Sequence, residues 1–391
     1  MFAIDALQCV QRHYCADKTT LGSPSNCLYA ETGFDRRVQR YHYGADGQLD
    51  AYAQRSGEGW QLTRFQRDPL GRLLKKTLPE GSVSEYNYDP LGRLQSAHNS
   101  HSVLLFQYNA LGQVTQENQS GETVRHEYDA LGNRVATVTP DGRRIDYQHD
   151  AQGRVQAVLL DGEALSRHKF DELGQETARQ QGKLVSRYDY DPAGRLLNQQ
   201  AGLQGSANPL IGRRYAYDTA GRLAALDDLR QGTTRYLYDP ADRLAQVEGK
   251  TPESFVHDPA GNLIGINQAT GGLVQGDRLI LLGDRHFAYD DAGNLIEERR
   301  GTGGQLVTRY TFDGDNRLIQ ADTPKGTATY RYDPLGRRVE KNTPQGKTRF
   351  TYDGARLLTE TRVADTVETS RHSGMDRRNP DCMDASNPCY P

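Results

Sequence analysis

Along most of the chain, apolar and polar positions alternate in short runs, and a pair of aromatics marks each run. In Tyr86-Asn87-Tyr88-Asp89-Pro90-Leu91-Gly92-Arg93-Leu94 two tyrosines flank one polar residue. Side chains two apart share a face of a strand, so this spacing predicts a strand with both rings on one side. Asp-Pro-x-Gly then predicts a tight turn. Pro presets φ, the Asp carboxylate caps a backbone N–H, and Gly accepts positive φ. Arg-Leu opens a second strand of about six residues. A further turn, often Pro-x-Gly as in Pro79-Glu80-Gly81, Pro140-Asp141-Gly142, Pro324-Lys325-Gly326 and Pro344-Gln345-Gly346, leads to the next aromatic pair. Each unit is one antiparallel hairpin, and successive hairpins predict one long meander.

The unit returns as Tyr188-Asp189-Tyr190-Asp191-Pro192-Ala193-Gly194-Arg195 and as Tyr330-Arg331-Tyr332-Asp333-Pro334-Leu335-Gly336-Arg337. Its second aromatic position is held by Tyr43, Arg67, Tyr88, Tyr108, Tyr128, His149, Phe170, Tyr190, Tyr217, Tyr238, His257, Tyr289, Phe312, Tyr332 and Tyr352. A fixed period of this kind decides the architecture, and its turn chemistry excludes a helical solenoid. The expected fold is all-β, a meander of about fifteen hairpins. The structural motif residues are Tyr86, Tyr88, Asp89, Gly92 and Arg93 with their copies Tyr188, Tyr190, Asp191, Gly194, Arg195, Tyr330, Tyr332, Asp333, Gly336 and Arg337.

Hydrophobic residues make up 36% of the 391, and mean hydropathy is −0.79. That is low for a thick core and fits a single sheet wetted on both faces. Cross-strand pairs, each worth roughly 0.2–1 kcal/mol, then carry the stability. A net charge of −3 leaves no overall footprint for nucleic acid or an anionic membrane. The recurring Arg72, Arg93, Arg154, Arg195, Arg222 and Arg337 read as partners of nearby Asp and Tyr rather than as a basic stripe. No apolar run is long enough for a membrane span, and the first residues lack the pattern of a secretory signal. The expected product is made in the cytoplasm and reaches the surface or the medium only by signal-independent delivery.

Three segments are expected: 1–36 unassigned, 37–363 the repeat body, and 364–391 a disordered tail atypical of the repeats. The break is compositional, since Cys9, Cys15, Cys27, Cys382 and Cys389 all lie in the two ends. A metal site or a disulfide is open to them, without the matched Cys-x-x-Cys pairs that mark zinc sites. The tail reads more like translated intergenic sequence than a domain, as if the frame ran past an interrupted gene. Within the body, Asn198 to Arg213 reads as a surface loop, and Leu263 to Phe287 as an inserted hairpin or a plug-like segment.

The repeats resemble the YD repeats of the Rhs family, which are shared with the C components of Tc insecticidal toxins, wall-associated bacterial toxins and the teneurins. Phe350-Thr351-Tyr352-Asp353-Gly354-Ala355-Arg356 resembles the variant repeat late in Rhs cores. The resemblance covers about Arg37 to Val363. It implies a strand spiral that wraps into a hollow shell around a C-terminal toxin, with a secretion or delivery apparatus as a further partner. It also implies a toxin-associated structural function, here without the effector or its cleavage segment. A surface carbohydrate-binding or adhesion module, with sugars stacked on Tyr, is the alternative.

No catalytic constellation is expected, and no cofactor or metal. There is no Gly-x-Ser-x-Gly, His-Glu-x-x-His or phosphate-binding glycine loop. Asp68 and Asp89 resemble the paired Asp-Pro-x-Gly elements of the family's self-cleavage site, but their separation is the repeat period. Turn aspartates are ordinarily solvated caps, so no proteolysis is assigned to them. His98-Asn99-Ser100-His101 falls where a hairpin turn is due, and a turn is the preferred reading over a metal pinch.

Overall fold

The protein is described by a computed structural model. It describes residues 28–363, except 34–36, 207, 260, 268, 271 and 277, together with the strands Phe2–Ile4, Gln11–Tyr14 and Glu368–His372. The terminal cysteines, and most of the segments expected to be unassigned or disordered, lie outside the described residues.

Within each of two sheets every strand pairs antiparallel with the next in sequence, as in Leu73–Thr77 with Val83–Tyr88, Val83–Tyr88 with Leu94–His98, and Leu94–His98 with Val103–Tyr108. A 26-stranded sheet runs to Ala269–Thr270, and an 11-stranded sheet follows from Leu273–Gln275. Strand Val103–Tyr108 shows why the pattern folds this way. Leu104, Phe106 and Tyr108 share the covered face, while Val103, Leu105 and Gln107 alternate to the exposed one. The ladder slips by one residue before the Asp-turn of unit after unit, between Asn87 and Tyr88, Gln107 and Tyr108, Glu127 and Tyr128, Arg331 and Tyr332. Such a bulge bends the strand and increases its twist. Repeated at the same place, it curves the meander in one sense, into part of a hollow shell.

The curve brings the chain back on itself. Residues 37–134 form a lower coil on which residues 291–353 lie as an upper coil. Gly57 meets Asp291, Asn99 meets Tyr332 and Gln119 meets Tyr352, each pair 233 or 234 positions apart. The largest fully buried side chains, Leu104, Val124, Thr137, Thr139 and Asp333, lie close to this overlap. The core is therefore a seam between coils, and its main apolar cluster is Tyr86, Ala97 and Leu104.

One reading of the sequence changes, and one left open is resolved. The span Asn198–Arg213 is mostly ladder: Leu196–Leu203 pairs with Ile211–Tyr217, and only residues 204–210 connect them. The glycines that read as loop are partly strand residues, with Gly212 opposite Gln200 and Gly202 opposite Val185. In the second span, Leu279 to Leu282 lies within strand Arg278–Leu282, between Leu273–Gln275 and Arg285–Tyr289. Of the two readings open there, the added hairpin is the one formed. Past Val363, strand Glu368–His372 pairs with Arg356–Val363.

Candidate functional site

The repeat motif builds a link between neighbouring hairpins. At Asp89, Oδ1 accepts the backbone N–H groups of Leu91 and Arg93, and Oδ2 accepts Arg93 Nε at 2.6 Å. Gly92 takes φ +81° at the point where the turn closes. The Arg93 guanidinium then lies 4.7 Å over the Tyr108 ring of the next unit. Tyr108 in turn donates its hydroxyl to Leu94 O at 2.7 Å. The same circuit joins Asp191, Arg195 and Tyr217, and again Asp333, Arg337 and Tyr352. Gly194 and Gly336 hold φ of +80° and +84° in those turns. Tyr88, Tyr190 and Tyr332 donate to Leu73, Glu176 and Leu318 carbonyls. Where the slot holds Arg67, its Nε donates to Leu49 O at 3.2 Å and replaces the phenol.

These arginines are therefore matched in place. Arg72, Arg93, Arg154, Arg195, Arg222 and Arg337 each pair with the Asp four residues earlier. Backbone N–H groups and the guanidinium hold Asp191 and Asp218 below the usual carboxylate range. At Asp68 and Asp89 burial pulls upward, but the same backbone and arginine bonds outweigh it, and both carboxyls are lowered. An acid–base pair needs its two pKa values pushed apart. Here two equivalent caps move in the same direction.

The seam joins residues the repeat alone does not relate. Gln119 Nε2 donates to Tyr352 O at 2.6 Å, and Tyr352 N donates back to Gln119 Oε1 at 3.0 Å. Asn99 Nδ2 donates to Tyr332 O at 2.9 Å, and Tyr86 donates to Pro334 O at 2.8 Å. Glu117 meets Arg337 at 2.7 Å, with Asp333 on the guanidinium's other side. Burial raises the Glu117 pKa against the pull of Arg337. Lys76 pairs with Asp315, and Arg134 with Asp353. His126, almost fully covered, lies 3.4 Å from Asp353 and 3.1 Å from Thr137 Oγ1. Burial, reinforced by the Arg134 charge and opposed by Asp353, lowers its pKa to about 4. Where the coils part there is a cavity of about 780 Å³, lined among others by Trp60, His101, Tyr310 and Tyr330.

Of the other motif tyrosines, Tyr188 pairs across the ladder with Gln199, and Tyr330 lies under the Arg338 guanidinium at 5.7 Å. Asn99 caps its own turn by accepting the His101 and Ser102 N–H groups, and His98 faces Glu85. Among the described residues no group of three or more His, Cys, Asp or Glu is placed to hold a metal. None of their helices is long and apolar enough to cross a membrane. The seam residues Asn99, Gln119 and Glu117 carry no sequence signal, because their partners lie more than two hundred positions away. Gly314 offers a trace of one: it stands where most other Asp-turns hold Pro or Ala, and a Cβ there would lie 2.3 Å from Pro79 Cδ.

A linked meander whose coils stack along a polar seam is the wall of a β-shell. The teneurin YD-shell family matches residues 216–362, and the RHS repeat matches residues 67–101 and 108–144. The chain belongs to the Rhs/YD-repeat family. It is 32% identical over 281 residues to double-stranded DNA deaminase toxin A of Burkholderia cenocepacia (strain H111), matching 67% of this chain and 18% of that protein. It thus spans less than a fifth of that relative's length. The fold is shared with the Photorhabdus luminescens Tc holotoxin pore, at a TM-score of 0.53 and 13% identity over 93% of this chain and 24% of the other. It is shared also with the TcdB2-TccC3 complex lacking its hypervariable C-terminal region, at a TM-score of 0.55 and 13% identity over 92% and 22%.

Proposed function

We propose that the chain is a structural, non-enzymatic wall segment of a toxin shell, and that the space it helps enclose holds a C-terminal effector. The observation carrying this is the seam: Asp-turns of one coil seat on successive intervening turns of the other, so the meander extends as a wall. Family membership supports the toxin context and the cargo. On this reading the product is made in the cytoplasm and leaves with a delivery apparatus. The carbohydrate alternative gains nothing from the tyrosines, since arginines cover rings such as Tyr108 and Tyr217 and main-chain carbonyls take their hydroxyls.

The test is protease protection of the native product, recovered with an antibody against the repeat body and weighed intact. An enclosed effector gives a protected mass above the 43.7 kDa of this chain. It becomes digestible once the shell is unfolded. A product of this chain's mass, or attached polypeptide digested as readily before unfolding as after, overturns the cargo reading.

A further inference from the structure

The Asp-turns of the two coils share one chemistry and differ in surroundings. Leu335, in the upper-coil turn that sits in the seam, is 45% exposed. Leu70, Leu91, Leu111 and Leu131 hold the same place in lower-coil turns, and Leu173 does so in the continuation of that coil; they are 74% to 87% exposed. Arg337 shows the same contrast, with 9% of its side chain exposed against 28% for Arg93. One molecule therefore shows this turn both covered and bare. Single exposed leucines are ordinary on a surface. Leucines at four successive turns, Leu70 to Leu131, and again at Leu173 beyond Gln152 form an unpartnered apolar stripe along one rim, which marks a contact surface.

The opposite rim of the lower coil, where turns receive the upper coil in the seam, continues past Arg134, the furthest lower-coil residue in seam contact among the described residues. That continuation carries Leu203, Leu210 and Leu229, each 40% to 60% exposed. The chain thus bears both halves of the contact it makes with itself, each in an uncovered form. We propose that the Leu70–Leu173 rim docks on the opposite rim of a second copy of this chain, continuing the spiral head to tail. The contact reuses the seam, with Asp-turns seated on the intervening turns of the coil beneath. It is heterologous, so it is open-ended rather than closed at a dimer. It does not depend on any cargo.

The experiment is sedimentation velocity of the full chain over a range of concentrations. Wild type is expected to sediment faster as concentration rises. Leu91→Asp/Leu111→Asp/Leu131→Asp is expected to stay monomeric, with unchanged circular dichroism and melting, because these side chains face solvent. Leu203→Asp/Leu229→Asp, on the opposite rim, is also expected to stay monomeric. Mixing the two variants pairs the intact rim of each and restores a dimer and nothing larger. A wild-type monomer at every concentration overturns the proposal. So does a triple variant that associates like wild type, which assigns assembly to open strand edges. Failure of the mixed variants to pair overturns it as well.

Discussion

Gln119 makes the most direct test of the seam, because one side chain serves two main-chain groups on another coil. The ladder between Arg338–Thr343 and Gly346–Asp353 has its last registered pair at Glu340 and Arg349, so Tyr352 lies beyond it. The Tyr352 N–H and C=O face the lower coil, where the Gln119 amide supplies an acceptor and a donor as a paired strand would. Gln119 is 6% exposed, so little water replaces it. Gln119→Ala leaves both groups short of a partner. Each buried unsatisfied group costs about 1–3 kcal/mol, and partial water entry into the space left brings the pair to roughly 2 kcal/mol. That corresponds to about a thirtyfold rise in local opening. Native-state hydrogen exchange reads it at the Tyr352 amide. Gln119→Glu keeps the acceptor but sets a covered carboxylate against the Tyr352 carbonyl, so its effect at neutral pH is at least that of alanine. Unchanged protection of residues 346–353 in Gln119→Ala, with the rest of the chain also unchanged, would refute the seam as a source of stability.

Tyr108→Phe removes the bond to Leu94 O and keeps the ring under Arg93; about 0.5–1.5 kcal/mol of stability is lost, read as a lower denaturation midpoint, with the same change at Tyr190 of similar size. Gly314→Ala sets a methyl against Pro79 Cδ; it costs about 1–3 kcal/mol and shows as raised exchange in both the 78–81 and 313–316 turns, whereas an exchange change confined to one of them contradicts the close approach. His126 gives a pH dependence. Its folded pKa of about 4 lies below the ordinary 6.5, so the unfolded chain binds the extra proton between these values. Stability is then lost as pH falls through that window, by at most about 3 kcal/mol. The difference between wild type and His126→Gln in urea melts isolates it, and parallel pH profiles of the two proteins argue against a buried neutral imidazole.

The hairpin unit was legible because each of its parts is local. Tyr86 and Tyr88 share a face through period-two geometry, Asp89 and Arg93 meet across one turn, and Gly92 supplies the φ the turn needs. The misread span Asn198–Arg213 shows the limit of that logic. Gly202 and Gly212 resemble loop residues, yet cross-strand bonds to Val185 and Gln200 hold them in the ladder, so tertiary pairing overrides a local preference. Apart from the trace at Gly314, the seam was not legible. Nothing near Glu117 in sequence indicates Arg337, and a glutamate inside a strand reads as a solvated face until a second coil covers it.

That asymmetry has a physical origin that bears on function. Within one coil the repeat sets every contact, so any hairpin of the type can follow any other, and the wall can lengthen by adding units. Between coils the contacts rest on particular residues: a glycine at 314, amides at 99 and 119, and a buried Glu117–Arg337–Asp333 group. A charge removed from water has to be matched with good geometry, or the group costs more than it contributes. A coil shifted along its neighbour by one hairpin would bring the Arg337 turn away from Glu117 and leave a carboxylate covered and unpaired. The buried ion group therefore acts less as a source of stability than as a penalty on wrong registers. A shell assembled from near-identical units needs such marks, because the repeat chemistry by itself cannot tell one hairpin from the next.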